Sequence, residues 1–326
     1  MRIFLVVLVC AIFSGCVKIA PSSVDNSRDF SFAFLADTQY NEREERAFNT
    51  MLAALNKERF AFIVHGGDFK AGGNAPCTDA LFLRRLTEFR KSENPFIYIP
   101  GDNEWVDCQR KSNGEQDPLE RLAKLRELFY ATDESLGVRR ITVKRQVGFD
   151  LNNATNARVV NYPENMRWDK DGVHFFTVNI QGSNDNFGFT ASSDAEQRIR
   201  EAANIGWMHQ NFDIAQRESA VAVVMFLQAN PGFEEPTEKV VQNAYVPFIQ
   251  AFEAKASAFN KPVMFAHGDT HQYRLLPYQS PIDRRTVSNI TRLETFGSPH
   301  TNWVRVNVRP SNAHAPFEVI LGGMGF

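Results

Sequence analysis

The sequence predicts an α/β fold whose two halves each contain a β-sheet, with the sheets facing each other between helices. Two observations lead to this prediction. From residue 30 onward, short apolar runs alternate with amphipathic segments, and the first half repeats a strand-helix unit that is typical of parallel sheets. A second half of the same kind follows later in the chain. With 43% hydrophobic and 23% charged residues among 326, the chain can bury a large core.

The first half is predicted to contain three strands, each followed by a helix. The strands are the buried runs Phe30–Leu35, Phe60–Val64 and Phe96–Ile99. Apolar residues at helical spacing follow each run, and the second and third helices cover residues 81–89 and 119–129. Because strand-helix-strand units place their strands side by side in one direction, these strands are expected to form a parallel sheet.

The second half is predicted to begin with antiparallel strands between about residues 139 and 180, where Val and Phe alternate with polar turns. Further strands and helices then follow in alternation. In chain order they are a helix at 199–214, a strand at 221–227, a helix at 241–252, a strand at 263–266, and tail strands at 303–308 and 317–321.

The N-terminus has the pattern of an export signal. Arg2 precedes an apolar run that is too short to span a bilayer, and Ser14-Gly15 before Cys16 resembles the box at which bacterial lipoproteins are cleaved and acylated. We therefore expect a signal peptide at 1–15, a lipid-anchored tether at 16–28 and one domain at 29–326, exported to the cell envelope and facing the periplasm. Plain secretion and an apolar N-terminus without a targeting role are the alternatives.

Two of the four cysteines lie in the predicted domain, Cys77 and Cys108. Export to an oxidising compartment favours a disulfide between them, and two unpaired buried thiols are the alternative. The formal net charge of -2 gives no field that would hold nucleic acid, so nucleic-acid binding is not expected. The membrane is expected to be contacted through the lipid anchor only, and the sequence does not predict an oligomeric state.

Polar motifs follow five of the predicted strands. An aspartate after a single strand is more often a helix cap or a turn residue than a ligand. Several together predict a site, because parallel strands deliver the residues at their carboxyl ends into one crevice. The motifs are Asp37-Thr38-Gln39, Gly67-Asp68, Gly101-Asp102-Asn103-Glu104, Gln228-Ala229-Asn230 and His267-Gly268-Asp269-Thr270-His271.

This ordered set, over residues 30–308, resembles the calcineurin-like metallophosphoesterase family, whose motifs are D-x-H, G-D, G-N-H-D/E, a lone His and G-H-x-H. The resemblance implies a four-layer α-β-β-α sandwich of two mixed sheets and a pair of divalent metal ions that activate water to hydrolyse phosphate esters. It places Asn103 at the family's catalytic imidazole and Asp68 at the metal-bridging carboxylate. The metal positions it implies are Asp37, Gln39, Asp68, Asp102, Gln228, Asp269 and His271.

The sequence departs from the family where imidazoles are replaced by amides and a carboxylate. Oxygen donors favour Mn²⁺, Mg²⁺ or Ca²⁺ over Zn²⁺, and iron is also compatible with them. Asn103 cannot titrate, which leaves three alternatives. The leaving group departs unaided, another histidine such as His267 supplies its proton, or the site is not catalytic. The predicted function is hydrolysis of small phosphomonoesters or phosphodiesters. A lipoprotein that binds metal or phosphate without turnover is the alternative.

Overall fold

The computed structural model describes residues 28–150 and 159–322. The predicted signal peptide, the lipidation candidate Cys16 and the tether up to residue 27 lie outside the described residues. Among the residues that are described, no helix has both the length and the apolar character needed to cross a membrane.

Twelve strands form two sheets within these described ranges. They are β1 (Phe30–Leu35), β2 (Ile63–His65), β3 (Phe96–Tyr98), β4 (Lys144–Asp150), β5 (Val159–Lys170), β6 (Val173–Thr177), β7 (Ala222–Phe226), β8 (Val263–His267), β9 (Arg274–Gln279), β10 (Thr286–Glu294), β11 (Val304–Val308) and β12 (Phe317–Leu321). The α-helices are α1 (Glu42–Leu55), α2 (Asp79–Phe89), α3 (Pro118–Phe129), α4 (Gly182–Asp185), α5 (Ala191–Arg217), α6 (Thr237–Val240) and α7 (Val246–Phe259). Two short 3₁₀ helices, Val106–Gln109 and Lys111–Asn113, follow β3.

Both sheets are mixed. The first has the order β12-β11-β1-β2-β3, in which β1, β2 and β3 are parallel, as predicted, and β11 pairs with β1 in the antiparallel direction. The second has the order β4-β5-β6-β7-β8-β10-β9, with a parallel centre from β6 to β10 and antiparallel strands at both edges. The predicted tail strands are confirmed as β11 and β12.

The two sheets pack face to face through an aromatic core. The Phe32 ring lies 5.8 Å from the rings of both Phe175 and Phe226, and Phe62 lies 5.2 Å from Trp168. Phe48 of α1 and the aromatic residues of α2 and α3 cover the outer face of the first sheet, while α5 and α7 cover the second. The fold is therefore the four-layer sandwich, and its parallel strands bring their carboxyl ends to one edge.

Candidate active site

Four aspartates from four strand ends meet at this edge, and we call them the acidic centre. Asp37, Asp68 and Asp102 follow β1, β2 and β3 of the first sheet, and Asp269 follows β8 of the second. The backbone N–H of Asp269 donates to Asp37 Oδ2 at 3.0 Å, which connects the two sheets at the site. Each of the four side chains is buried or nearly so. The sequence motifs therefore converge in space although they are far apart in the chain.

Three of these aspartates have a left-handed backbone, with φ of 50° at Asp37, 58° at Asp68 and 84° at Asp269. This conformation costs a non-glycine residue about 1–2 kcal/mol, so the surrounding structure must hold it. Two hydrogen bonds between the loops do so, from Asp37 N–H to Gly67 O at 3.0 Å and from Thr38 N–H to Asp68 O at 3.1 Å. The chain thus directs carboxylates into the crevice at the expense of local backbone energy.

Gly101 is required because the loop after β3 packs directly against Asp68. A Cβ on Gly101 would lie 2.6 Å from the backbone nitrogen of Asp68 and would also collide with its carboxylate. The N–H of Asn103, two residues later, donates to Asp68 Oδ1 at 3.1 Å. The close approach therefore serves to place a donor on the Asp68 carboxylate.

Burial raises the pKa of every carboxyl in the acidic centre, and repulsion from neighbouring carboxylates raises the pKa of Asp37, Asp68 and Asp269 further. Burial is the largest cause in each case, followed by Asp269 for Asp37 and by Asp102 for Asp68. The pKa of Asp269 rises to about 7, from burial first and then from Asp102. Four ionised carboxylates so close together are therefore unfavourable unless a cation compensates their charge.

The donor atoms fit a hard divalent cation. Asp37 Oδ1 is buried without a hydrogen-bond partner, and it lies 3.8 Å from His271 Nε2. His271 Nδ1 lies 2.7 Å from Ser298 O, so in the neutral ring Nδ1 carries the proton and Nε2 presents a lone pair. Among the described residues, however, no group of three or more His, Cys, Asp or Glu side chains already has the spacing of an assembled metal site.

The sequence profile of calcineurin-like phosphoesterases matches residues 30–201, which is more than half of the chain. The chain belongs to the calcineurin-like phosphoesterase family. Family membership and this fold support metal-dependent hydrolysis of phosphate esters as the general activity. No functionally curated protein matches the chain.

Two solved structures are similar to this phosphoesterase-family chain. GAP50, the anchor in the inner membrane complex of Plasmodium, is 10% identical, with 91% of this chain and 90% of that chain covered and a TM-score of 0.48. A dimetal phosphatase from Danio rerio is 10% identical, with 85% of this chain and 92% of that chain covered and a TM-score of 0.46.

Two amides that replace family histidines lie in the acidic centre and are engaged in hydrogen bonds. Asn103 Nδ2 donates to Tyr40 Oη and to Lys70 O, both at 3.0 Å. Gln228 Nε2 donates to Asp68 Oδ2 at 3.3 Å, while Gln228 Oε1 accepts from Gly182 N–H at 2.6 Å. The structure therefore brings both predicted residues to the site, but each connects loops as well as facing the carboxylates.

That Gln39 binds metal stays a prediction. Its Nε2 donates to Glu88 Oε2 at 3.0 Å, while its Oε1, the atom that could bind a cation, is buried without a hydrogen-bond partner. The backbone φ of 73° at Gln39 redirects the chain at this point, and Arg85 holds the Gln39 carbonyl at 3.1 Å. The hydroxyl of the next residue, Tyr40, lies 3.2 Å from Asp68 Oδ2.

The structure contradicts the expectation that His267 donates a proton to the leaving group. Its ring is fully buried, Nε2 accepts from Arg292 Nε at 2.9 Å, and Nδ1 lies 2.8 Å from Gly268 O. Burial first, and then Arg292, lower the pKa of His267 well below its usual value. A neutral ring with both nitrogens engaged has no proton to give to a substrate.

Two hydroxyl residues at the site were not predicted from the sequence. Tyr40 Oη lies 3.2 Å from Asp68 Oδ2, and Ser183 Oγ lies 2.6 Å from Asp102 Oδ2. Both follow strands of the predicted parallel arrangement, Tyr40 after β1 and Ser183 after β6, so their position at a strand end was the available signal. Ser183 also lies 2.9 Å from Asp107 Oδ1.

A disulfide joins Cys77 to Cys108, with their Cα atoms 5.7 Å apart. Both cysteines are completely buried, and each Sγ lies within 4 Å of the Asn103 carbonyl oxygen, at 3.7 Å for Cys77 and 3.9 Å for Cys108. The disulfide therefore ties the loop before α2 to the 3₁₀ helix beside the acidic centre.

Proposed function

We propose that the chain is a metal-dependent hydrolase of phosphate esters that works in the cell envelope. The observation that carries this proposal is the acidic centre, in particular the buried and unpartnered Asp37 Oδ1 among carboxyls whose pKa values are raised. An arrangement of this kind is unfavourable without a compensating cation. Small phosphomonoesters and phosphodiesters are the proposed substrates.

The chain's own side chains supply the donors for such a cation: Asp37, Asp68, Asp102, Asp269 and His271. Their oxygen-rich character favours Mn²⁺, Mg²⁺ or Ca²⁺ over Zn²⁺, with iron also compatible. When bound, the cation supplies Lewis-acid polarisation of a phosphoryl oxygen and lowers the pKa of a water molecule. Asn103 and Gln228 position the loops around the carboxylates and hold no titratable proton.

The test is an assay of the full chain after metal removal, with p-nitrophenyl phosphate and its bis ester, in Mn²⁺, Mg²⁺, Ca²⁺ and Zn²⁺ separately. We expect Mn²⁺, Mg²⁺ or Ca²⁺ to restore hydrolysis. We expect Asp269→Asn to lose at least about 100-fold in kcat/KM, since it removes a buried charge from the centre. Asp213→Asn, which changes an exposed aspartate paired with Lys255, is the matched control. Failure of all four metals to restore hydrolysis would contradict the proposal.

A second candidate function is binding of metal or phosphate without turnover. The observation that favours it is the Asn103 amide at the position of the family's imidazole. Metal analysis separates the two candidates. A stoichiometric cation without hydrolysis of either substrate supports the binding function.

Location in the envelope rests on the proposed signal peptide and on acylation of Cys16. The Cys77–Cys108 disulfide supports export, because such bonds persist in oxidising compartments. We expect radiolabelled palmitate to be incorporated into the wild-type chain and not into the Cys16→Ser variant. The variant should also be absent from the membrane fraction. Cys10→Ala, in the apolar run of the same segment, is the control that should keep the label. Label that persists in Cys16→Ser would contradict the anchor.

A further inference from the structure

Arg110 lies at the rim of the acidic centre. Its Nη2 lies 3.5 Å from Ser183 Oγ, and this hydroxyl lies 2.6 Å from Asp102 Oδ2. Nη2 is therefore no farther from the Asp102 carboxylate than these two distances together. Because 48% of the Arg110 side chain is exposed to solvent, a ligand that enters the centre from outside can contact its guanidinium.

One nitrogen of the guanidinium is anchored to the protein. Nη1 lies 2.5 Å from Asp107 Oδ2 and donates to Gly72 O at 2.8 Å. Both acceptors are themselves held in place, since the Asp107 side chain is buried and Asn113 Nδ2 donates to Gly72 O at 2.8 Å and to Asp107 O at 2.9 Å. These contacts use both protons of Nη1 and fix the plane of the guanidinium before any ligand binds.

Gly72 connects the guanidinium to the acidic centre by a separate route. A Cβ on Gly72 would lie 2.3 Å from Asn103 Oδ1, so the backbone to which Arg110 donates packs against the Asn103 side chain. The Asn103 N–H in turn donates to Asp68 Oδ1 at 3.1 Å. Arg110 is therefore connected to a second carboxylate of the acidic centre besides Asp102.

The other edge of the guanidinium is left for a ligand. Among the residues that the structure describes, Arg110 Nε has no hydrogen-bond acceptor, and Nη2 has only the long contact with Ser183 Oγ. The Nε–H and the adjacent Nη2–H form a fork of the kind with which arginine binds two oxygens of a phosphate. Lys70, which also contacts Asn103, is buried and its Nζ donates to the carbonyls of Ala71 and Asn103, so it offers no such fork.

We infer that Arg110 binds non-bridging oxygens of the substrate's phosphate and makes the centre prefer phosphomonoesters to phosphodiesters. The inference rests on the proposed function, because it assigns the substrate class of the same site. A monoester phosphate has three non-bridging oxygens, so two can face the Arg110 fork while the third faces the acidic centre. A diester has one such oxygen fewer and a smaller negative charge, so it gives up either the second contact with the fork or its contact with the centre.

The test compares kcat/KM for p-nitrophenyl phosphate and its bis ester, on the full chain with the cation that restores hydrolysis. We expect the wild type to have the higher kcat/KM for the monoester. We expect Arg110→Gln to lose about 10–100-fold for the monoester and less than about threefold for the diester. Arg140→Gln is the matched control, since Arg140 is 50% exposed and also pairs with a carboxylate, that of Glu134 at 3.0 Å. It should change either value by less than about twofold.

The change in the ratio of the two kcat/KM values is the decisive result, because a loss of folding or of cation affinity alters both values equally. A wild type with the higher kcat/KM for the bis ester would overturn the inference. Equal fold losses for the two substrates in Arg110→Gln would also overturn it. Both results would leave metal-dependent hydrolysis intact.

A second variant, Arg110→Lys, keeps a positive charge beside Asp107 but has no fork. We expect it to keep the urea midpoint of the wild type and to bind inorganic phosphate at least about tenfold more weakly, measured by calorimetry with Mg²⁺ present. No phosphate binding by the wild type, or wild-type affinity in Arg110→Lys, would overturn the inference. Weaker binding in Arg110→Lys, on a wild-type chain that hydrolyses neither ester, would overturn the proposed hydrolase and support the phosphate site.

Discussion

The Ser183 hydroxyl donates to the buried Asp102 carboxylate at 2.6 Å, from a backbone with a left-handed φ of 50°. Asn184, Asp185 and Asn186 continue the same left-handed conformation, with φ of 52°, 55° and 67°. A run of such residues is energetically unfavourable for side chains with a Cβ, so the turn is held by its surroundings. It presents a hydroxyl to the acidic centre from the second sheet's side of the crevice.

Ser183→Ala should lower the free energy of unfolding by about 1.5–3 kcal/mol, because a hydrogen bond to a buried charged group is lost. Ser183→Gly loses the same hydroxyl but removes the left-handed penalty of about 1–2 kcal/mol, so it should be the more stable of the two variants. Urea denaturation of both variants, with exposed Ser192→Ala as control, measures the difference. An alanine variant as stable as the glycine variant would show that the turn is not strained.

Arg200 is the residue that holds this turn. Its guanidinium is fully buried, and it donates to Asp185 Oδ1 at 2.7 Å, Asp185 O at 2.8 Å, Asn179 O at 2.9 Å and Glu196 Oε1 at 2.7 Å. A lysine has no planar fork with which to reach these acceptors at once.

Arg200→Lys should therefore lower the free energy of unfolding by about 3–5 kcal/mol, since it leaves Asp185 buried without its full set of partners. Arg198→Lys, two residues away on the exposed side of α5, should change it by less than about 0.5 kcal/mol. Thermal and urea melts of the two variants provide the measurement. Equal effects of the two changes would contradict the role assigned to Arg200.

These contacts show what can be predicted from a sequence and what cannot. Strands β1, β2 and β3 were predictable because each is a continuous apolar run. The spans of β9 and β10 were not predicted, because Thr286–Glu294 mixes polar and apolar residues and its burial depends on pairing with β8. The positions of the aspartates followed from strand ends. The contact of Tyr40 with Asp68 did not, because left-handed residues such as Asp37 and Gln39 redirect side chains in a way that spacing does not reveal.

Glu201 makes the stability of the metal-free chain depend on pH. Burial first, and then Asp185, raise the pKa of Glu201 to about 7 from the usual 4.5, and its Oε1 is buried without a hydrogen-bond partner. A carboxyl whose folded pKa is raised binds more protons in the folded state between these two values. The stability that protonated Glu201 contributes is therefore fully present below pH 4.5, and it is lost as the pH rises through about 7.

Glu201→Gln should remove this loss. The variant and the wild type should differ little in urea midpoint near pH 4.5, and the variant should be the more stable one at pH 8, because the amide carries no charge to desolvate. The urea midpoint of the Glu115→Gln variant, in which an exposed loop residue is changed, should follow that of the wild type across the same pH range. A constant difference between Glu201→Gln and the wild type at all pH values would contradict the raised pKa.

Asn103 sets the dependence of the proposed hydrolysis on the leaving group. An amide has no proton to transfer, and the buried His267 is engaged by Arg292 and the Gly268 carbonyl, so the departing oxygen leaves without general acid catalysis. Phenyl phosphate, whose leaving group is the poorer one, should therefore be hydrolysed much more slowly than p-nitrophenyl phosphate. Asn103→His restores a titratable group at this position. Since general acid catalysis contributes about 10²–10⁴-fold, the variant should raise kcat/KM for phenyl phosphate by up to about 100-fold and change that for p-nitrophenyl phosphate far less.

The measurement is the ratio of kcat/KM for the two substrates, because a change in folding or in cation affinity alters both values equally. An unchanged ratio in an active, folded Asn103→His variant would show that protonation of the leaving group is not what this site lacks.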